Sequence, residues 1–473
     1  MKKRNRITGI ILTALCLLAG GGISAEAAVL GDVSRDGVFN ISDPQLALQL
    51  YAETVLTGSS KPEPDVFYAA DIDCSGTVSA ADAQILLRCC TERLTGNPVT
   101  WEELIPELQS LPLTREAAED ALFGEHYIRA ARDVSRMTDA EKVSQLFLVS
   151  FGDDAAMQTE VSSESCPAGY ILFAADFINE TPVSIAEKLD ALQAESRYGL
   201  LLGCDEEGGA IVRASGFPQY RDSAFPTPQA LFASGGLQAV FDDAKEKALF
   251  LRGLSMNYNL APVVDMPENP ASYIFDRTLG QDAETTAAYA AGVVKVMNEQ
   301  NMLATLKHFP GYGDNLDTHS LVSRDLRTKE QFMTRDLLPF ISGIEAGVPM
   351  IMVNHNIITC LDDEKPASLS APVHQLLRDE LHYSGLIVTD ALTMGAVMQY
   401  TDGRTAAVQA ILCGNDLIAI GRSANYPALR DEVLSAVQNG TISETTLNDA
   451  VRRVLACKYA YGIRKLPSLD RNT

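Results

Sequence analysis

Short runs of apolar residues alternate with longer amphipathic segments along most of the sequence, from about residue 138 onward. Continuous apolar runs are typical of strands buried on both faces, whereas the segments between them have the length and periodicity of helices. Thr138 and Glu141 form a capping-box pattern that predicts the start of a helix just before the first run. The predicted strands are residues 145–151, 170–173, 200–204, 258–264, 303–306, 350–353, 386–389 and 417–420.

Eight apolar strands separated by helices favour an α/β fold, specifically a (β/α)8 TIM-like barrel, over an open doubly wound sheet. No Gly-x-Gly-x-x-Gly motif follows the first predicted strand, which also argues against a dinucleotide-binding fold.

The first 28 residues have the pattern of a signal peptide. A basic start is followed by apolar residues 7–19 and by the small residues around 23–28, where cleavage is expected. The apolar run is too short for a membrane span, and no other stretch is long and apolar enough to form one. We therefore expect a secreted protein without a membrane span.

Two loops near the N-terminus repeat the same arrangement of oxygen-bearing residues 39 residues apart. Each loop has a glycine at position 6, Gly37 or Gly76, where a calcium-binding loop needs a sharp turn, and each is followed by an apolar-periodic helix. This repetition predicts two structural Ca²⁺ sites. The expected ligands are Asp32, Ser34, Asp36, Val38, Asn40 and Asp43 in the first loop and Asp71, Asp73, Ser75, Thr77 and Asp82 in the second.

Both loops close with an aspartate, and only a short extended stretch precedes the first one. A calcium sensor would instead have an entering helix and a closing glutamate. The pattern resembles type I dockerins, and the resemblance implies a small all-α, calcium-binding dockerin at residues 29–94, a linker at 95–114 and a barrel at 115–473. It also implies a partner, the cohesin domain of a scaffold protein in a cellulosome-like complex, and hence an extracellular or cell-surface location.

The formal net charge of −24 argues against nucleic acid as a partner, because an acidic surface repels a phosphate backbone. The sequence has no phosphate-binding Gly-rich motif ending in Lys-Ser/Thr and no zinc-protease helix motif. The six histidines are too scattered to indicate a catalytic metal centre, and no serine nucleophile elbow is present. We therefore expect no cofactor for catalysis.

Polar residues collect where successive predicted strands end, which is where a barrel carries its active site. A glycine-rich loop after the fifth strand adds an Asp-x-His pair, Asp317 and His319. The strand-end residues are Asp205 with Arg213, Asp265, Arg277, Lys307 with His308, Asn354 with His355, and Asp390.

This set of residues suits glycosyl transfer with retention of configuration. A carboxylate nucleophile such as Asp390 can form a covalent glycosyl-enzyme when a separate group donates the proton. Here the proton donor would be the imidazole of His319, oriented by Asp317 as a carboxylate orients histidine in a serine triad.

Five motifs, in order, resemble glycoside hydrolase family 3, and the Asp-x-His loop resembles its β-N-acetylhexosaminidase branch. The resemblance implies that Asp390 is the nucleophile, His319 the general acid/base and Asp317 its partner. It also implies that Asp205, Arg213, Arg277, Lys307 and His308 bind the terminal N-acetylglucosamine. The motifs are Lys307–Gly311, Asp317–His319, Asp205–Gly209 with Arg213, Asn259–Asp265 and Ile387–Met394.

Two features depart from that family pattern. Tyr312 stands where the loop more often carries histidine, and the segment between Gly313 and Asp317 is one residue short. These departures affect how far the loop reaches and which sugar the second subsite prefers, and they leave the expected chemistry unchanged.

The resulting hypothesis is a secreted, exo-acting, retaining β-N-acetylglucosaminidase that acts on peptidoglycan- or chitin-derived oligosaccharides. Three alternatives stay open at this stage. They are an N-acetylglucosaminide phosphorylase, a β-glucosidase or β-xylosidase, and an inactive carbohydrate-binding barrel.

Overall fold

A computed structural model describes most of the protein beyond residue 30. The described residues are 31–36, 38–57, 66, 69–72, 78–97, 99, 104, 122–124, 126–318, 323–394, 397, 400, 405–422 and 425–463. The predicted signal peptide, the expected ligands Asp73, Ser75 and Thr77, and the predicted acid/base His319 lie outside them.

Eight parallel strands form a barrel. They are β1 (Phe147–Ser150), β2 (Gly169–Leu172), β3 (Leu201–Cys204), β4 (Tyr258–Asn259), β5 (Leu303–Phe309), β7 (Met350–Val353), β9 (Leu386–Thr389) and β10 (Ile418–Ile420). Their order in the sheet is β10-β1-β2-β3-β4-β5-β7-β9. The two ends of this order meet at a parallel bridge between Val388 and Leu417, supported by the bond from the Thr389 amide to the Leu417 carbonyl (3.1 Å). The predicted α/β barrel is therefore confirmed.

The interior of the barrel is filled by large side chains that lie against glycines. Tyr258 on β4 is fully buried, and its hydroxyl donates to the Tyr170 carbonyl (3.0 Å). A Cβ atom on Gly203 of β3 would lie 2.1 Å from the Tyr258 carbonyl oxygen, so only glycine fits there. Close packing of this kind makes the barrel a rigid support for the residues at its rim.

Two strand predictions differ from the structure by three or more residues at one end. β4 ends at Asn259, although the apolar run continues to Val264. Pro262 has no amide hydrogen to donate, but the carbonyls of Ala261 and Pro262 still accept from the amides of Thr305 and Lys307 (2.9 and 3.2 Å). A parallel bridge between Val263 and Lys307 continues this pairing. That bridge and the pairing with β7 extend β5 to Phe309, three residues beyond its predicted end.

Helices follow most of the strands and surround the barrel, as the amphipathic segments predict. Thr138 and Glu141 form the predicted capping box, with the Thr138 hydroxyl accepting from the Glu141 amide (3.2 Å). The main helices around the barrel are Asp139–Ser144, Asp154–Val161, Pro182–Glu195, Pro228–Gly253 (interrupted at Gly235 and Gly236), Ala283–Glu299, Leu338–Glu345, Ala371–Gln375, Thr405–Cys413, Tyr426–Gln438 and Glu444–Ala460.

One more helix, His126–Ser135, lies against the last helix of the barrel. The guanidinium of Arg129 stands over the Tyr459 ring at 5.0 Å, and the Tyr459 hydroxyl donates to Asp133. Tyr127 donates to the carbonyl of Ser384, just before β9. This helix therefore packs on the amino-terminal side of the barrel, away from the predicted site.

A second, two-stranded parallel sheet lies outside the barrel and consists of β6 (Arg324–Asp325) and β8 (Ile357–Ile358). β6 begins directly after the loop formed by residues 310–323, which we call the β5–β6 loop. The far end of this loop is therefore tied to the segment that follows β7.

The N-terminal region contains the helices Ser42–Thr57 and Ala80–Leu94, each preceded by one of the predicted calcium loops. In both loops the closing aspartate accepts a hydrogen bond from the amide of loop position 9. The distance is 2.7 Å from Asn40 to Asp43 and 2.8 Å from Ser79 to Asp82. The two loops therefore share one local structure where both are described.

No helix among the described residues has both the length and the apolar character needed to cross a membrane.

Candidate active site

A pocket opens at the carboxyl ends of the barrel strands, where the sequence predicts the site. It brings together six of the predicted residues, from elements far apart in the sequence. Its lining includes Asp205, Arg213, Arg277, Lys307, His308 and Asp390, with Tyr273, Tyr312 and Thr318 on the side of the β5–β6 loop.

Lys307 is the centre of a buried ion cluster in this pocket. Its ammonium lies 2.8 Å from Asp205 Oδ1 and 2.6 Å from Glu207 Oε1, and only 1% of the residue is exposed. Arg213 binds the other oxygen of Asp205 (3.1 Å), and Arg277 binds Glu207 through two nitrogens (2.7 and 2.9 Å). Each cation is thus held by a carboxylate before any ligand binds.

The cluster keeps both of its carboxylates ionised. Burial opposes their ionisation, but the charges of Lys307 and Arg213 hold the pKa of Asp205 well below its usual range. Burial also opposes the ionisation of Glu207, yet Lys307 and Arg277 lower its pKa to about 2. The same carboxylates raise the pKa of Lys307 despite its burial. The pocket therefore presents fixed charges and directed hydrogen-bond donors at neutral pH.

His308 is fixed by Asp265, which lies beyond β4. The His308 Nδ1 atom is 2.7 Å from Asp265 Oδ2, and its backbone amide donates to Asp265 Oδ1 (3.3 Å). A carboxylate partner requires Nδ1 to carry the proton, which leaves Nε2 to accept from Arg277 Nη2 at 3.3 Å. The ring is thus oriented with Nε2 towards Arg277.

The loop after β3 is held in place by Glu206, an acidic residue that is fully buried. Its carboxylate accepts from the amides of Arg213 and Ala214 (3.0 Å each) and from the Ser215 hydroxyl. Asn259 adds two hydrogen bonds to the backbone of Glu206. These contacts fix the backbone at Asp205 and Arg213, so that both side chains face the pocket.

Asp390 follows β9 and lines the same pocket as the Lys307 cluster. Its backbone amide donates to the Val353 carbonyl (2.9 Å), and its carboxylate accepts from the Ala391 amide (2.8 Å). His355, which follows β7, approaches the Ala391 carbonyl with its Nε2 atom (3.1 Å). The backbone on either side of this carboxylate is therefore fixed.

Asp317 on the β5–β6 loop and Asp390 after β9 both lie close enough to Tyr273 for their charges to act on its phenol. Burial raises the pKa of Tyr273; Arg277 lowers it, and Asp317 and Asp390 raise it further. The Asp317 half of the predicted dyad is therefore near the pocket, while its His319 half lies outside the described residues.

The predicted residue set omits four polar residues that the structure places in the lining of the pocket: Glu207, Tyr273, Tyr312 and Thr318. Glu207 belongs to the same motif as Asp205, so the sequence offered a reason to include it in the predicted site. Tyr273 has no such signal, because it belongs to the irregular excursion after β4. Its place in the pocket is decided by tertiary contacts.

No cluster of three or more His, Cys, Asp or Glu side chains stands ready to hold a metal ion in the described part of the protein. In the two N-terminal loops, however, the first and last carboxylates are all buried: Asp32, Asp43, Asp71 and Asp82. Buried carboxylates with further oxygen groups nearby fit the oxygen ligands that Ca²⁺ requires. The calcium sites stay a prediction.

Comparison with known proteins places the barrel in a family of carbohydrate-active enzymes. Residues 138–457 match the model of the glycosyl hydrolase family 3 N-terminal domain, which is more than half of the sequence. The protein therefore belongs to glycosyl hydrolase family 3, and it is a glycoside hydrolase by family.

Individual relatives agree with this assignment. A β-hexosaminidase of Xylella fastidiosa is 32% identical over 293 residues, which are 60% of this chain and 83% of that protein. An uncharacterized secreted glycosyl hydrolase of Arthroderma benhamiae is 29% identical over 316 residues, 63% of this chain and 86% of that protein. A family 3 β-N-acetylglucosaminidase structure from Paenibacillus sp. str. FPU-7 has a TM-score of 0.65 and 30% identity. The match covers 71% of this chain and 65% of that protein.

Proposed function

We propose that this protein is a secreted, exo-acting β-N-acetylglucosaminidase that hydrolyses terminal N-acetylglucosamine residues with retention of configuration. The observation that carries the proposal is that the Lys307 cluster and Asp390 line the same pocket at the barrel rim. The two relatives named for hexosaminidase or N-acetylglucosaminidase activity support the choice of substrate.

The Lys307 cluster is suited to bind the hydroxyl groups of a terminal sugar. Asp205 and Glu207 can accept hydrogen bonds from hydroxyls, while Lys307, Arg213 and Arg277 can donate them. Because each charge already has a partner of opposite sign, a neutral ligand enters without leaving a buried ion uncompensated. His308 adds an imidazole nitrogen whose orientation Asp265 has fixed.

Asp390 would attack the anomeric carbon and form a covalent glycosyl-enzyme. In the same step His319, oriented by Asp317, would protonate the departing oxygen. His319 would then remove a proton from the incoming water, which attacks the anomeric carbon and releases the sugar with its original configuration.

A substrate panel tests this proposal and its alternatives together. The full-length protein is incubated with aryl β-N-acetylglucosaminide, aryl β-glucoside, aryl β-xyloside, chitobiose and the N-acetylglucosamine–muramic acid disaccharide, each with and without inorganic phosphate. We expect turnover of the N-acetylglucosaminides, with free N-acetylglucosamine as the product in both buffers.

Each contrary result of the panel points to a specific alternative. A sugar 1-phosphate formed only in phosphate would indicate a phosphorylase, since a neutral imidazole does not repel incoming phosphate. Preference for the glucoside or xyloside would overturn the assignment of substrate. Sugar binding without any turnover would indicate an inactive carbohydrate-binding barrel.

We also propose that the N-terminal region is a calcium-loaded dockerin that attaches the enzyme to a cohesin domain. Its support is the repeated pattern of loop residues and the shared bond between loop positions 9 and 12. The predicted signal peptide and the secreted relative from Arthroderma benhamiae support an extracellular setting for such a complex.

Calcium should control both the stability of this region and its binding to the cohesin. We expect 1:1 binding to a type I cohesin on a native gel with Ca²⁺ and loss of the complex after chelation, because calcium binding to such loops contributes folding energy. Asp43→Ala and Asp82→Ala should each weaken the complex, whereas Asp222→Ala, an exposed aspartate of the barrel, should not. Cohesin binding that is unchanged by chelation would contradict the calcium assignment.

A further inference from the structure

The side-chain hydroxyl of Tyr312 is hydrogen-bonded to two other residues of the β5–β6 loop, Leu316 and Thr318. Its hydroxyl accepts from the Thr318 amide (2.8 Å), lies 2.9 Å from Thr318 Oγ1 and donates to the Leu316 carbonyl (3.2 Å). Tyr312 is only 2% exposed and Thr318 is fully buried. One phenol oxygen thus satisfies the backbone amide and the side chain of Thr318, the residue before His319.

The other end of Tyr312 is tied to the sugar-binding side of the pocket. Its backbone amide donates to Asp265 Oδ1 (2.6 Å), the carboxylate that also orients His308. Its ring lies edge-on to the His308 ring, with 5.7 Å between the ring centroids. Tyr312 therefore connects the fixed end of β5 with the segment that leads to His319.

The backbone is also held after the segment 319–322. The Ser323 hydroxyl donates to Asn315 Oδ1 (2.8 Å), and Asn315 Nδ2 donates to Asp325 Oδ2 (2.6 Å) and to the Tyr312 carbonyl (2.7 Å). Asn315 anchors the far side through several hydrogen bonds, whereas on the near side, among the described residues, Thr318 is bonded through the Tyr312 hydroxyl. Removing that hydroxyl would leave two buried polar groups of Thr318 without their partner, which disfavours the present conformation.

We propose that Tyr312 is a positioning residue for proton transfer, which acts by holding the backbone at Thr318 so that the adjacent His319 reaches the leaving group. This role rests on the proposed function of His319.

The test uses Tyr312→Phe, which removes one oxygen and keeps the ring packing, and Thr318→Val, which removes the partner hydroxyl. For Tyr312→Phe we expect kcat on chitobiose to fall about ten-fold, with KM within about two-fold of the wild-type value. The loss of kcat/KM should be much smaller with a dinitrophenyl N-acetylglucosaminide, because kcat/KM reports the first step and this leaving group needs no proton. The double variant should be no worse than Tyr312→Phe alone, because both changes break the same contact.

The matched control is Tyr220→Phe. The Tyr220 hydroxyl has no hydrogen-bond partner among the described residues, and its ring packs on Phe177 away from the pocket. It should keep wild-type kcat on both substrates. Equal losses of kcat/KM on both leaving groups in Tyr312→Phe, or wild-type kcat on chitobiose, would overturn the proposal.

An activity-independent measurement separates this proposal from the proposed function. Hydrogen exchange at the Thr318 amide should be about ten-fold faster in Tyr312→Phe than in the wild type, whichever sugar the enzyme accepts. Unchanged exchange would overturn the positioning role even in a fully active enzyme. If the wild type is inactive on every sugar but exchange is faster in the variant, the proposed function is contradicted, while the contact between the Tyr312 hydroxyl and Thr318 is supported.

Discussion

Replacing Asp390 by alanine is expected to lower kcat/KM on aryl β-N-acetylglucosaminide by a factor of about 10²–10⁴ or more. The carboxylate is the proposed nucleophile, and its loss removes the covalent route that divides one difficult displacement into two easier ones. Steady-state kinetics measures the effect. Azide added to Asp390→Ala should restore part of the turnover and give a glycosyl azide of the opposite anomeric configuration.

Two further variants make this result interpretable. Asp390→Asn keeps the size of the side chain and should lose a similar amount of activity, which separates the missing charge from a packing defect. Asp222→Ala removes an exposed carboxylate of the same protein and should behave like the wild type. Turnover within a few-fold of wild type in Asp390→Ala would refute the nucleophile assignment.

Replacing His319 by alanine is the second change with a large expected effect. We expect a loss of about 10²–10⁴ in kcat on chitobiose, because a sugar alkoxide leaves poorly without a proton. With a dinitrophenyl leaving group the first step should be nearly normal, and deglycosylation should become rate-limiting because water then lacks its base. A burst of dinitrophenol in pre-steady-state kinetics would report this change of step.

The matched control for this prediction is His382→Asn. His382 is exposed and has a positive φ of 52°, a conformation that asparagine tolerates well. This variant should keep wild-type kinetics on both substrates. A His319→Ala enzyme whose kcat/KM falls equally on all leaving groups would contradict the acid/base role and point to a structural one.

The sequence pattern was sufficient for the barrel and for much of its rim. Eight apolar runs predicted the eight barrel strands, and the limits of β7 and β9 match the prediction. The rule that barrel sites lie at the carboxyl ends of strands was sufficient to group Asp205, Lys307 and Asp390 from the sequence. Periodicity succeeded here because strands buried on both faces must be apolar throughout.

The same reasoning was less successful where local pattern and tertiary contact conflict. The apolar run after Tyr258 predicted a strand to residue 264, but the strand ends at Asn259, and Pro262 has no amide hydrogen to donate to a neighbouring strand. Glu207 looked like one more acidic residue in a loop, although it shares Lys307 with Asp205. A sequence cannot reveal such a contact, because the partners lie about a hundred residues apart and meet only when the barrel closes.

The sequence by itself determined the fold class, the family motifs and the chemical types available at the rim, since these depend on local periodicity and on residue identity. Only the tertiary structure decided how those groups are paired. It placed one buried ammonium between two carboxylates, fixed His308 through Asp265, and bound Thr318 to the Tyr312 hydroxyl. The physical reason is that pairing energies depend on distances of about 3 Å between groups far apart in the sequence, and these are set by the closed barrel.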